Sequence, residues 1–82
     1  MPNDAVSPTA LAIQLYLQGH PNASDSGEGV QRWWLAEFGV VVPYGTVIAA
    51  LHELVKLGVV QEHRLPDGTV VYSRSATWHD HP

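Results

Sequence analysis

Eighty-two residues are enough for one hydrophobic core and too few to divide it between two domains. Hydrophobic residues make up 45% of the chain and charged residues 15%, which excludes an intrinsically disordered segment, and the lack of cysteine excludes a disulfide framework or a thiolate metal site. The formal net charge is −4, so any surface that meets phosphate has only Arg32, Lys56, Arg64 and Arg74 as permanent cations.

Residues 1–6, with Pro2, Asn3 and Asp4 and no apolar periodicity, read as a loose lead-in. They lack the basic start and apolar run of a signal peptide, and nowhere does an apolar stretch approach the roughly 18 to 20 residues that span a bilayer. A soluble, cytoplasmic protein with no membrane partner is expected. Ser7-Pro8 reads as an N-cap followed by proline at the first helical position, and Gly19-His20-Pro21 as a stop, so the first helix is expected over 8–18. Leu11 and Leu15 lie on one stripe, Ala12 and Tyr16 on a second, Ile13 and Leu17 on a third. A helix apolar nearly all round implies burial on several sides, and in a chain this short Leu11, Ile13, Tyr16 and Leu17 are candidates for an interface with a partner subunit.

Residues 19–29 are rich in turn formers, and Ser24 or Ser26 is placed to cap a second helix that ends near Phe38, with Gly39 as its terminator. Val30, Trp34 and Phe38 recur at intervals of four and should pack inward with Leu35. Trp33 lies about 100° away from Trp34 around the helix, so it either lies along the first helix or is offered to another chain. The β-branched run Val40 to Val42 is a candidate for a short strand, closed by Pro43. From Tyr44 to Leu57 the pattern is helical: Val47, Ala50, Leu51, Leu54 and Leu57 face inward, Gly45, Ala49, His52 and Lys56 face outward, and Gly58 supplies the left-handed end. Pro66-Asp67-Gly68 then joins two β-rich arms, about 60–65 and 69–74, in a hairpin. Residues 76–82 read as a tail, leaving 7–75 as the folded domain.

The sequence carries no nucleophile–base arrangement, so no enzyme and no cofactor are expected; Asp25 and Glu28 sit where acidic residues complement a helix dipole. His79-Asp80-His81 is read as a tail segment and not as a metal site, because His20, His52 and His63 have no ligand spacing with it.

The order helix, helix, short strand, helix, hairpin resembles a winged helix-turn-helix domain, an α+β fold of three helices with a C-terminal wing. Leu35-Ala36-Glu37-Phe38-Gly39-Val40 resembles the LAEELGV end of the second helix in bacterial regulators. Tyr44-Gly45-Thr46-Val47, with Leu51, Leu54 and Leu57-Gly58-Val59-Val60, resembles the GTVYRALRRLEERGLV recognition helix of PadR-, MarR- and GntR-type repressors, and Gln61 to Arg74 resembles their wing. The resemblance implies that the third helix enters the major groove of double-stranded DNA. Tyr44, Gly45, Thr46, Ala49 and His52 would then face bases or nearby phosphates, Lys56 would sit one turn later, and Arg64 and Arg74 of the hairpin would approach the backbone. The chain departs from the pattern in having no arginine or lysine between Arg32 and Lys56, so this helix has no bidentate arginine to read guanine.

Two functions follow as expectations. The first is a small, homodimeric transcription regulator that binds DNA; the second is a winged helix used for protein contact, favoured by the net acidity, the apolar first helix and Trp33. Protonation of His52 and His63 would make the DNA-facing surface more basic at mildly acid pH.

Overall fold

The computed structural model describes residues 7–76; the lead-in over 1–6, His79-Asp80-His81 and all but the first residue of the expected tail lie outside them. The chain runs α1 (Pro8–Gly19), β1 (Ser24–Ser26), α2 (residues 27–38), α3 (Tyr44–Lys56), β2 (Val60–Arg64) and β3 (Val70–Arg74). The strands form one antiparallel sheet in the order β1-β3-β2. This small α+β arrangement of three helices and three strands is compatible with the winged helix expected from the sequence.

The cap residues act as their chemistry requires. The Ser7 hydroxyl accepts a hydrogen bond from the Ala10 N–H at 3.1 Å, with Pro8 in the first turn where no N–H is needed. Ser26, not Ser24, caps α2 by accepting from Gly29 N–H at 3.2 Å. Gly39 ends α2 at φ +69°, a left-handed conformation in which a Cβ would crowd the backbone. In the hairpin turn, Gly68 N–H donates to the Leu65 carbonyl at 2.9 Å, and the Asp67 carboxylate accepts from Thr69 N–H at the same distance.

The core forms where the three helices meet the sheet. Ile13 and Leu17 of α1, Val30, Trp34 and Leu35 of α2, and Val47, Leu51 and Leu54 of α3 are closed over by Val60 and Tyr72. Each large aliphatic side chain fully buried there contributes about 1.5–3 kcal/mol relative to exposure. Trp34 stacks on Tyr16 with ring centroids 5.0 Å apart, and Tyr16 in turn stacks on His20 at 4.2 Å. Beyond the rings, the His20 imidazole lies 3.5 Å from the Glu37 carboxylate, joining the end of α1 to the end of α2.

Several expectations need correction. The first strand is Ser24–Ser26, paired to β3 with Asp25 opposite Tyr72, and Val40 to Val42 forms no strand. That run instead links two helices: Val40 N–H donates to the Leu35 carbonyl at 3.0 Å, and the Gln31 side-chain amide holds the Val42 carbonyl at 2.9 Å. Phe38 is 43% exposed because α2 is not a uniform α-helix; it widens to a π-helix over Val30–Trp34 and tightens to a 3-10 helix over Leu35–Phe38, so a spacing of four no longer keeps residues on one face. Leu57 is exposed as the C-cap of α3, one residue beyond the last helical residue. Ile13 and Leu17 are fully buried inside the chain, so neither presents a surface to a partner.

Candidate nucleic-acid interface

The outer face of α3 follows from its small residues. Tyr44, Gly45, Thr46, Ala49, His52 and Lys56 are all exposed, whereas Val47, Ala50, Leu51 and Leu54 on the other side are buried. Glycine and alanine at 45 and 49 keep this face low, so another surface can approach the helix backbone. Among the described residues no side chain caps the N-terminus of α3, which begins after Pro43. Backbone N–H groups at such an end suit anionic partners. Tyr44 is partly held against α2: a Cβ added to Gly27 would come within 2.8 Å of the Ile48 Cδ1 atom and 2.9 Å of the Tyr44 hydroxyl, so only glycine admits this approach without displacing those side chains.

The hairpin contributes differently from the sequence expectation. Directly opposed residues of an antiparallel pair share a face, and the register sets Glu62 opposite Tyr72, Arg64 opposite Val70, and Arg74 opposite Val60. Val60 and Tyr72 are buried toward the helices, so Glu62, Arg64 and Arg74 belong to the same side of the sheet. Arg64 lies at the turn end and Arg74 at the other, about 13 Å apart at the usual strand rise. The Arg64 guanidinium reaches the Gly68 carbonyl of its own turn at 3.5 Å. His63, with Gln61, is on the other side of the sheet from Arg64, so His52 and His63 do not reinforce one basic surface.

Glu62 is the residue that sequence reasoning missed. Its carboxylate lies 3.7 Å from the His52 imidazole of α3. Burial, reinforced by the nearby Glu62 carboxylate and by Tyr44, raises the Tyr72 phenol above its ordinary value and keeps it neutral. An acidic group therefore sits in the angle between α3 and the hairpin. The alternation of the first arm of the hairpin was the available signal, since it puts residue 62 on the inward-facing side with residue 60. From Ala49 to the C-cap of α3, Ala49, His52, Glu53, Lys56 and Leu57 line an open hollow of about 470 Å³.

Of the residues expected at a partner interface, Leu11 is 47% exposed and Trp33 is 63% exposed, while Tyr16 is half-buried in the ring stack. Leu15, one turn from Leu11, is also exposed, giving α1 a short apolar stripe. Among the described residues no group of three or more histidine and acidic side chains could hold a metal, and no helix is long and apolar enough to cross a membrane. No family model matches the chain, and no curated protein matches it in sequence.

Proposed function

We propose that the chain is a winged helix-turn-helix domain that binds double-stranded DNA through the outward face of α3, as a small transcription regulator. The observation that carries this reading is the low, uncovered face of α3, with Tyr44, Gly45, Thr46, Ala49 and His52 exposed beside a projecting hairpin. Element order and strand order β1-β3-β2 support the fold assignment. Recognition from this face relies on shape, on van der Waals contact and on neutral hydrogen bonds from Thr46, Tyr44 and His52, because α3 has no arginine. Lys56, Arg64 and Arg74 supply the phosphate contacts. The Glu62 carboxylate, 3.7 Å from the His52 imidazole, opposes the approach of phosphate to this face.

NMR shift mapping with a mixed-sequence duplex at low salt tests the reading. The backbone amides of Tyr44, Gly45, Thr46, Ala49 and His52 are expected to move most. Perturbation confined to α1 and Trp33, or none at all, would exclude it.

A second reading is favoured by a specific observation: Leu11, Leu15 and Trp33 are large apolar side chains that the chain itself leaves exposed. On that reading the domain is a protein-contact module, and α1 with Trp33 is the contact surface.

A further inference from the structure

The outer strand of the hairpin is an edge with a defined phase. In the order β1-β3-β2, strand β2 has, among the described residues, a neighbour on one side only. Leu65 N–H donates to the Thr69 carbonyl at 2.7 Å, and Ser75 N–H donates to the Val59 carbonyl at 2.9 Å, one bond at each end of the β2–β3 ladder. Hydrogen-bonded and non-hydrogen-bonded pairs alternate along such a ladder. The odd-numbered residues of β2 therefore turn their backbone groups toward β3, and Glu62 and Arg64 turn theirs outward. Gln61, Glu62, His63 and Arg64 are all exposed, so among the described residues this edge is open.

Open edges are commonly blunted by charge. Here the charges repel most strands but match one. We propose that β2 pairs antiparallel with β2 of a second copy of this chain, about a twofold axis at His63, joining two sheets into one. A twofold axis perpendicular to a sheet places one residue opposite its own counterpart. Centred on Glu62 or Arg64, it opposes like charges; centred on Gln61, it sets Glu62 against Val60. Centred on His63, it sets Glu62 against the partner's Arg64 and Arg64 against the partner's Glu62, two attractive pairs on the same side of the sheet. That register is also the one in which the outward N–H and C=O groups of Glu62 and Arg64 meet those of the partner's Arg64 and the partner's Glu62 as hydrogen-bonded pairs. His63 then meets its counterpart at a non-hydrogen-bonded position on the other side. The inference does not rest on DNA binding, and an α1-mediated dimer would leave it unsupported.

Charge exchange tests the pairing by analytical ultracentrifugation at pH 7.5, with far-UV circular dichroism to confirm folding. Glu62→Arg and Arg64→Glu, each alone, are expected to weaken self-association at least tenfold, because each makes both cross-strand pairs repulsive. Mixing the two single variants is expected to give a heterodimer, and combining both changes in one chain to restore the homodimer. A second readout uses the absence of native cysteine. Cα atoms at a non-hydrogen-bonded pair lie about 4.5 Å apart, within disulfide range, so His63→Cys should cross-link under mild oxidation much faster than the exposed control Ala36→Cys. A wild-type chain that stays monomeric at millimolar concentration, a dimer indifferent to the charge exchanges, or equal cross-linking at both cysteine positions would overturn the proposal.

Discussion

Trp33 and Trp34 are neighbours in sequence with opposite roles. Trp34 is 2% exposed and lies against Tyr16, whereas Trp33 faces solvent. Replacing a buried tryptophan with alanine removes its transfer energy and leaves a cavity, a loss of about 3–5 kcal/mol. A surface substitution costs about 0.5 kcal/mol or less. Urea denaturation should accordingly give Trp34→Ala a greatly lowered midpoint and Trp33→Ala one close to wild type. Equal losses at the two positions would mean that Trp33 is covered in solution. The alternative roles of Trp33 were visible in the sequence, because two adjacent helical residues cannot share a face; which of the pair turned inward followed from the stripe containing Val30 and Trp34.

At the scale of elements, the helices were more legible than the strands. Ser7, Pro8, Gly39 and Gly58 mark boundaries by local chemistry, and helix ends fall within a residue or so of where those residues put them. Strand β1 left no such mark: Ser24-Asp25-Ser26 has little intrinsic preference for a strand, and it is extended because β3 lies beside it. The β-branched residues Val40 to Val42 had the propensity but no ladder position, since Ser24–Ser26 occupies the edge beside β3. The pitch changes in α2 were equally invisible, because they show in the hydrogen bond from Leu35 N–H to the Val30 carbonyl and not in residue type. The joint between the sheet and α3 has a measurable signature in Tyr72. Its neutral phenol is favoured in the folded state by burial, then by Glu62 and Tyr44, so the folded value exceeds the ordinary one of 10.0. Stability should therefore be unaffected by this group below pH 10 and fall as pH rises from there toward the folded value. Chemical denaturation of wild type and Tyr72→Phe across that range checks it: the variant is expected to lose most of the alkaline decline, and an identical decline in both would remove Tyr72 as its source.

For the whole molecule, charge decides what the fold can do. The outward face of α3 was readable from its spacing of small residues, but the electrostatics of the face were not, because Glu62 joins it only through the hairpin register. The two hairpin arginines looked like a pair in sequence and stand at opposite ends of the sheet. With Lys56, Arg64 and Arg74 as the cations of α3 and the hairpin, one copy of the domain can neutralise only a few phosphates there. DNA binding by so few charges has a definite thermodynamic form. The dependence of log K on log salt concentration has a slope of roughly −0.9 for each phosphate contacted, so about −2 to −3 is expected for each bound copy. Measuring duplex affinity by fluorescence anisotropy over a range of salt concentrations tests the central claim most directly. DNA binding through α3 and the hairpin predicts that slope, reduced by about 1 in Lys56→Ala. Affinity that does not change with salt, or no binding at low salt by a folded chain, would contradict it.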